Sequence, residues 1–391
     1  MSAAARAAPI GRVLVAPNAF KGSLTAREAA AAIKEAVVAA WPGIDCRALP
    51  LADGGDGFLD AIVGPSGGEQ LVSLVSGPLL EPVPARVGWP EAGPKTAVIE
   101  LAQVCGIRLV ESPSPETAGM ATTRGLGELL LATIDRGAER VLVGLGGSAS
   151  SDGGAGLAQA LGFQLLDRHG DPIRPGGLGL RALERIVATP IPPRLRGLEV
   201  VAACDVRSPL LGPLGAAAVF GPQKGADPET AHELEQGLGR LAQIVARDLI
   251  RPPNPAQPGM GAAGGTAFGL AAFCAARLES GVDLVADWVG LDRELAGADL
   301  VITGEGRFDA ASLEGKVTGE VLRRSSRHHI ACVVITGSAE PAAVAAAQRL
   351  GGRIALIAGE PAPDLRRSRA QAHLKAATKR FCQEFGRPLR D

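Results

Sequence analysis

A glycine- and serine-rich segment, residues 144–154, contains the residue types best suited to chemistry. Its sequence is GLGGSASSDGG. It follows the apolar run 141–143, which predicts a buried strand, and precedes residues 155–161, which predict the start of a helix. Loops between the carboxyl end of a strand and the N-terminus of a helix bind phosphate in α/β proteins, because their backbone N–H groups converge on the anion. Glycine has no Cβ, so these groups can approach a ligand closely.

We therefore predict that this segment handles a phosphoryl group. The predicted ligand-binding residues in it are Gly146, Gly147, Ser148, Ser150, Asp152 and Gly153. The alternative is a tight glycine-rich turn with a serine or aspartate N-cap. A cap needs one such residue, and the segment has several.

A lysine near the N-terminus is the second candidate. Lys21 follows the apolar run 12–16, a predicted first strand, and is flanked by Asn18 and Ser23. Ser23 or Thr25 can cap a predicted helix over residues 26–40. We predict that Asn18, Lys21 and Ser23 clamp a phosphate or carboxylate and that Lys21 acts in catalysis. A solvated loop lysine is the alternative.

Two aspartates follow the second predicted strand, residues 46–51. Asp53 and Asp56 lie in the sequence ADGGDG, at the strand end where ligands bind to parallel sheets. Mg²⁺ prefers one or two carboxylates together with water and phosphate oxygens. The pair predicts a magnesium site, and turn formation in a glycine-rich loop is the open alternative.

Another aspartate ends the predicted strand 198–203. Asp205 lies where a general base or a metal ligand would be placed, and we predict a catalytic role for it. An Asx cap is the alternative. Lys224, in the loop GPQKG, is a further candidate cation for substrate binding.

The predicted strand 298–303 runs into a segment that we expect to be a loop. That segment, residues 304–309, contains Glu305 and Arg307, and Lys316 lies shortly downstream. We predict that Glu305, Arg307 and Lys316 bind substrate or phosphate, since an anionic ligand requires cations or N–H groups.

The order of the predicted elements indicates an α/β protein. Strand–loop–helix patterns at both termini favour a Rossmann-like parallel-sheet domain over residues 1–68 and 285–391. Residues 71–75 and 83–87 alternate with a period of two, which favours an inserted α/β domain with a mixed sheet over residues 69–284. Residues 115–165 are compatible with either domain.

Composition excludes several classes of partner. The chain of 391 residues has a net charge of −1 and is only 3% aromatic, so neither a nucleic acid nor a membrane surface is an expected partner. Six cysteines occur without a C-x-x-C pair, which favours a reducing, cytoplasmic location. A homo-oligomer is compatible with the sequence.

A dinucleotide fingerprint competes with the phosphate loop. Gly144 and Gly146 satisfy G-x-G-x-x-[GA] after a strand, and Asp167 lies about 20 residues further on, at the end of the predicted strand 162–167. An NAD-dependent oxidoreductase acting on a small hydroxy acid is therefore one alternative function. A non-catalytic metabolite-binding regulator is another.

Taken together, several segments resemble the bacterial glycerate kinase family, in the class that also includes enzymes of glycolate and glucarate breakdown. The segments are APNAFKGS at 16–23, ADGGDG at 52–57, GGSASSDGGAG at 146–156, ACDV at 203–206, VFGPQKG at 219–225, GAAGG at 261–265 and ITGEG at 302–306, followed by Gly315 and Lys316. They occur in family order over nearly the whole chain. Asn18 and Asp56 stand where the family frequently has Asp and Glu.

The resemblance implies ATP- and Mg²⁺-dependent phosphorylation of D-glycerate, with 2-phosphoglycerate favoured over 3-phosphoglycerate as product. It also implies two α/β domains with the active site in the cleft between them. Phosphoryl transfer depends on positioning and charge neutralisation. We expect Lys21 and Mg²⁺ to neutralise charge and Asp205 to accept the proton of the substrate hydroxyl.

Overall fold

The computed structural model describes residues 10–93, 95–187, 195, 197–357 and 367–385. Two compact units divide the chain. The terminal unit takes its described residues from Met1–Asp53 and Val282–Asp391, and the central unit is Gly54–Gly281. Among the described helices, none is both long enough and apolar enough to cross a membrane.

The strands, in chain order, are β1 (Arg12–Val15), β2 (Asp45–Ala48), β3 (Gly68–Ser76), β4 (Pro82–Pro90), β5 (Thr96–Glu100), β6 (Arg140–Gly144), β7 (Gln164–Leu166), β8 (Arg185–Val187), β9 (Glu199–Ala203), β10 (Arg277–Glu279), β11 (Leu300–Phe308), β12 (Ala331–Ala339) and β13 (Gly352–Leu356). The α-helices are α1 (Ala26–Ala40), α2 (Phe58–Ser66), α3 (Ala102–Cys105), α4 (Pro115–Met120), α5 (Arg124–Asp135), α6 (Ala155–Ala160), α7 (Ala216–Phe220), α8 (Pro228–Asp248), α9 (Ala262–Cys274), α10 (Gly281–Trp288), α11 (Leu291–Leu295), α12 (Ala310–Leu313), α13 (Val317–Arg327), α14 (Pro341–Arg349) and α15 (Arg367–Phe385).

The terminal unit is built on a parallel sheet in the order β13-β12-β11-β1-β2. Helix α1 packs beside α15. Apolar side chains between the helices and the sheet form the core, among them Val13, Ile33, Leu300, Val333 and Leu374. Because all strands run in one direction, their carboxyl ends meet at one edge of the sheet, where ligands bind in such folds.

Helix α1 begins where the sequence predicts. The Thr25 hydroxyl accepts a hydrogen bond from the backbone N–H of Glu28, at 3.2 Å. The Glu28 carboxylate accepts one from the backbone N–H of Thr25, at 2.9 Å. This reciprocal capping box satisfies two N–H groups that the helix itself leaves unpaired. The predicted helix over residues 26–40 is confirmed, with Thr25 as its N-cap.

Strand β11 is longer than predicted. The expected loop over residues 304–309 is wrong as far as Phe308, because β12 supplies backbone partners for this stretch, with Arg307 opposite Ser338. Glycines suggested a loop, but a partner strand can stabilise them in extended conformation. Glu305 and Arg307 therefore lie on a strand.

The central unit contains a mixed sheet in the order β10-β9-β6-β5-β4-β3. Strands β5, β6, β9 and β10 are parallel, whereas β3, β4 and β5 pair antiparallel. Its core includes Ile99, Leu126, Val143, Leu157 and Phe268. The predicted fold class, a parallel sheet plus a second α/β part with a mixed sheet, is confirmed.

Candidate active site

The glycine loop, residues 145–154, connects β6 to α6 in the central unit. A Cβ on Gly146 would lie 2.2 Å from the Cα of Gly55, and one on Gly154 would lie 2.7 Å from the Cα of Gly269. Distances this short exclude any larger residue unless the backbone shifts. These glycines are therefore required by packing, between the segment ADGGDG on one side and helix α9 on the other.

The start of α9 is fitted to the same loop. Gly264 has a φ of +67°, and a Cβ on it would lie 2.0 Å from the carbonyl oxygen of Ser150. The Gly264 carbonyl accepts a hydrogen bond from the N–H of Gly153, at 3.1 Å. The glycines of the segment GAAGG thus serve close packing against the glycine loop.

Asp152 holds the glycine loop in place. Its side chain is fully buried. Its carboxylate accepts five hydrogen bonds, from Thr122 Oγ1 (3.3 Å), from Thr123 N and Oγ1 (2.9 Å each), from Gly154 N (3.2 Å) and from Gly156 N (3.1 Å). These bonds join the loop to the start of α5 and to the first turn of α6. The geometry assigns Asp152 to positioning the loop.

Lys224 lies beneath the loop. Its ammonium donates to Ser148 Oγ, at 3.1 Å, and to the carbonyl of Ser150, and the residue is only 3% exposed. Burial lowers the pKa of Lys224 to about 8, although nearby Cys105 and Asp152 oppose the shift. Ser150 is fully buried. Lys224 therefore supports the loop from inside.

Gly147 is the open position of the loop. Its φ is +66°, and a Cβ there would have its nearest neighbour at 3.6 Å. Ser148, the next residue, is buried but for 7% of its surface. The backbone around Gly147 is thus the part of the loop that is not covered by packing.

Glu100 organises the second glycine-rich loop, residues 54–57. It ends β5, and its carboxylate accepts hydrogen bonds from Gly57 N (3.0 Å) and Leu59 N (3.3 Å), at the start of α2. Burial raises the pKa of Glu100, and these two bonds oppose the rise. Sequence reasoning missed this residue. The available signal was a carboxylate closing the apolar run Thr96–Glu100.

Asp56 lies beside the open position. A Cβ on Gly147 would be 3.7 Å from Asp56 Oδ1. The exposed Asp56 carboxylate forms an ion pair with Arg108. Ile107, which precedes Arg108, donates its N–H to the Gly147 carbonyl at 2.8 Å. Arg108 is a second residue that sequence reasoning missed.

The predicted metal pair is divided between the two units, since Asp53 ends the first segment of the terminal unit. Asp53 is half-buried. Among the described residues there is no group of three or more His, Cys, Asp or Glu side chains that could hold a metal ion.

Asp205 lies just beyond the end of β9. Its Oδ1 accepts hydrogen bonds from Ser280 Oγ and from the N–H of Gly281, both at 2.9 Å. Ser280 follows β10, the parallel neighbour of β9. The half-buried carboxylate therefore lies at the carboxyl edge of the parallel strands, and the two hydrogen bonds to Oδ1 help to fix its orientation.

The candidate residues near the N-terminus lie in the loop after β1. Asn18 is buried, and its N–H donates to the Gly304 carbonyl at 2.9 Å. Its side-chain oxygen accepts from Ala19 N at 2.7 Å, and the Ser23 hydroxyl donates to the Phe20 carbonyl at 3.0 Å. Lys21 is exposed. Within this loop, Asn18 and Ser23 stabilise the turn and Lys21 is the accessible charge.

The remaining candidates surround the end of β11. Arg307 forms ion pairs with Glu340 (2.6 Å) and Asp309 (3.5 Å), so its charge is already partly neutralised. Glu305 is 7% exposed. Burial raises its pKa, opposed by the hydroxyls of Thr318 and Ser312 and by the ammonium of Lys316. The structure thus brings Glu305 and Lys316 together.

The dinucleotide interpretation has no support in the geometry. Strand β7 does not join the main sheet but pairs antiparallel with β8 in a separate two-stranded sheet. Asp167 accepts hydrogen bonds from His169 N (2.8 Å) and Asp171 N (3.0 Å). It therefore stabilises a turn rather than following a strand beside β6, as ribose recognition requires.

Glycine loops and charged side chains lie at the carboxyl ends of parallel strands, the edge at which α/β proteins bind small ligands. Comparison with known proteins gives the family. Residues 13–385 match the model of the glycerate kinase family, and the chain belongs to that family. It is an enzyme, a kinase that phosphorylates glycerate.

Similar curated proteins include the glycerate kinase of Bacillus subtilis (strain 168), 42% identical over 327 residues, covering 84% of this chain and 85% of that protein. The glycerate 2-kinase of Escherichia coli (strain K12) is 39% identical over 327 residues, with coverage of 84% and 85%. A crystal structure from Salmonella typhimurium LT2, of a protein provisionally assigned as glycerate kinase 2, superposes with a TM-score of 0.80 at 36% identity and covers 96% of this chain and 98% of that one.

Proposed function

We propose that the enzyme transfers a phosphoryl group from ATP, with Mg²⁺, to the C2 hydroxyl of D-glycerate, giving 2-phosphoglycerate and ADP. The observation that carries the proposal is the glycine loop, rigidly held by Asp152 and Lys224 and open at Gly147. Backbone N–H groups around such a position suit phosphate. The position of phosphorylation is inferred from the likeness to a protein named glycerate 2-kinase.

The roles of the loop follow from the physics of phosphoryl transfer. Catalysis there is mostly positioning and charge stabilisation. Gly147 leaves the backbone open to the phosphates, whereas Gly146 and Gly153 allow the close packing that holds the loop in place. The Ser148 hydroxyl adds a donor that Lys224 polarises. Lys21, exposed in the terminal unit, would neutralise charge that shifts during transfer.

Magnesium would be held by few protein groups. Mg²⁺ commonly uses one or two carboxylates and completes its shell with water and phosphate oxygens. Asp56 fits this requirement, because its carboxylate is exposed and lies beside the open position of the glycine loop. Asp53 is the second proposed ligand. When bound, the ion would neutralise phosphate charge.

Asp205 is the proposed base. Replacing it in Asp205→Asn keeps its size but removes its ability to accept a proton. We expect kcat to fall about 10²–10⁴-fold with little change in KM for either substrate. Recovery of activity at raised Mg²⁺ would identify a metal ligand instead, and near wild-type kcat would leave only the capping role.

Candidate substrate contacts in the terminal unit are Asn18, Ser23, Glu305, Arg307 and Lys316. The six cysteines are all free of disulfides, which supports the proposed cytoplasmic location.

One assay tests the proposal as a whole. The protein is incubated with D-glycerate and Mg-ATP, and ADP release is measured with and without EDTA, with NAD⁺ reduction followed in parallel. Phosphorus NMR of the product distinguishes 2-phosphoglycerate from 3-phosphoglycerate. We expect ADP release that requires both D-glycerate and Mg²⁺. NAD⁺ reduction without ADP would refute it.

A further inference from the structure

Glu305 is buried at the carboxyl edge of the terminal-unit sheet with part of its hydrogen-bonding capacity unused. The residue is 7% exposed, and its Oε1 accepts no hydrogen bond from any part of the chain that the structure describes. On either side, Gly304 and Gly306 lie against Phe20, so that the loop after β1 packs closely on this strand. An exposed carboxylate would be hydrated, but a buried one depends on a partner.

The groups around Glu305 are also suited to a ligand. The fully buried Thr318 hydroxyl lies near the Glu305 carboxylate but forms no well-aligned hydrogen bond within the described residues. Lys316, close enough to act on the Glu305 carboxylate, is the N-cap residue of α13, and its side chain does not cap the helix. The eleven-residue helix α13 thus begins beside a lysine and a buried carboxylate. Helix N-termini attract anions.

An anion site next to an unused acceptor matches one kind of small molecule. Lys316 and the first turn of α13 are complementary to a carboxylate. Glu305 Oε1 is complementary to a hydroxyl donor, and it would repel a second anionic group. Glycerate carries one carboxylate and two hydroxyls, of which the proposed reaction leaves the C3 hydroxyl unmodified.

Resting on the proposed function, we propose that Glu305 determines substrate specificity by accepting a hydrogen bond from the C3 hydroxyl of glycerate, while Lys316 and the N-terminus of α13 bind its carboxylate. The site would then reject D-lactate, which has the same carboxylate and C2 hydroxyl but no C3 hydroxyl. A site built to bind a hydroxyl discriminates strongly against a ligand without it, because the buried acceptor stays unpaired.

The experiment compares the two ligands in three variants. Glu305→Gln and Glu305→Leu should raise the KM for D-glycerate about 10- to 100-fold, as expected for losing a hydrogen bond to a charged acceptor. The inhibition constant of D-lactate should stay within about threefold or fall, because lactate never used the acceptor. Lys316→Met should weaken glycerate and lactate equally, since both have the carboxylate. Glu35→Gln, which alters an exposed carboxylate paired with Lys375 in the same unit, is the matched control and should change neither constant.

Thermal unfolding separates this role from a structural one. A buried acceptor without a partner costs stability, so Glu305→Leu, which removes the acceptor, should leave the melting temperature unchanged or raise it while glycerate binding weakens. Calorimetric titration with D-glycerate repeats the binding comparison without turnover, so a wild-type protein that binds glycerate but forms no ADP contradicts the proposed function and not this assignment.

Three results would overturn the assignment. An unchanged KM for glycerate in both Glu305 variants would show that Glu305 does not contact the substrate. A rise confined to the KM for ATP would show that Glu305 binds hydroxyls of the nucleotide instead of glycerate. Equal losses for glycerate and lactate together with a lower melting temperature identify a structural carboxylate.

Discussion

Two buried carboxylates of this kinase differ in how many hydrogen bonds they accept from the protein. Asp152, in the glycine loop of the central unit, accepts five hydrogen bonds from surrounding backbone and hydroxyl groups. Glu305, on β11 in the terminal unit, is almost as deeply buried but has an oxygen that accepts none from the described residues. In the sequence, both lie in a glycine-rich segment that follows an apolar run, so sequence context alone does not distinguish them.

This difference indicates that Asp152 belongs to a structural framework, the hydrogen bonds that hold the glycine loop, whereas Glu305 belongs to a binding site. A carboxylate whose acceptor positions are filled by the protein has little capacity left for a ligand, but it fixes the backbone around it. A buried acceptor left unpaired costs about 1–3 kcal/mol. Such a cost is recovered when a ligand supplies the donor. We therefore expect substitutions around Asp152 to act mainly on stability and loop geometry, and those around Glu305 mainly on binding.

The largest expected effect is on the free energy of unfolding when the hydrogen bonds of Asp152 are removed. Asp152→Ala leaves the buried N–H groups of Thr123 and Gly156 without their acceptor and should lower the free energy of unfolding by about 3–5 kcal/mol. Chemical denaturation measures this. Asp171→Asn, at an exposed position of the same unit, should change it by less than about 0.5 kcal/mol. If Asp152→Ala were as stable as wild type, the contrast with Glu305 would collapse.

The contribution of buried Lys224 to the stability of the glycine loop should depend on pH. Its folded-state pKa of about 8 is below the ordinary 10.5 because burial disfavours the charged form. Between these two values the unfolded chain holds a proton that the folded chain lacks, so the contribution of Lys224 to stability rises with pH across that window. Below it, the buried ammonium costs stability. Relative to Lys224→Met, wild type should gain up to about 3 kcal/mol from the lower to the upper value.

Denaturation of wild type and Lys224→Met at several pH values between neutrality and pH 10.5 measures the difference. A constant difference across the window would show that the lysine is not held in a desolvated position, and would weaken the view of the loop as a rigid, internally supported frame.

A glycine substitution tests whether the loop is held by close packing. In Gly146→Ala, the added Cβ would meet the Cα of Gly55 at 2.2 Å, so the two loops must separate. We expect a loss of about 1–3 kcal/mol in stability and a rise in the KM for ATP. Gly239→Ala, where nothing lies within 4 Å of the new atom, should instead stabilise helix α8 by about 0.5–1 kcal/mol. Similar behaviour of the two variants would contradict the packing argument.

The smallest effect is expected at Ser148. Ser148→Ala removes one hydroxyl that receives a hydrogen bond from Lys224, and it should weaken ATP binding by about 1 kcal/mol. The KM for glycerate, measured in the same experiments, should not change if this hydroxyl faces only the nucleotide. Loss of both affinities in equal measure would indicate that the serine supports the loop as a whole.

Local signals in the sequence determined much of this protein. Thr25 and Glu28 define the start of α1, because a capping box involves only residues three apart. The apolar runs before residues 144–154 and after Gly197 predict parallel strands whose loops meet at one edge. The ordered segments were sufficient to recognise the glycerate kinase family.

Tertiary structure decided which of the polar residues are framework and which are available. Asp152 is saturated by Thr122 and Thr123, about 30 positions away in the chain. Glu305 is on a strand because β12 continues beside it, and Glu100 became significant only through its bonds to the first turn of α2. Capping and apolar periodicity depend on neighbours within one element, whereas burial and hydrogen-bond saturation depend on groups that only folding brings together.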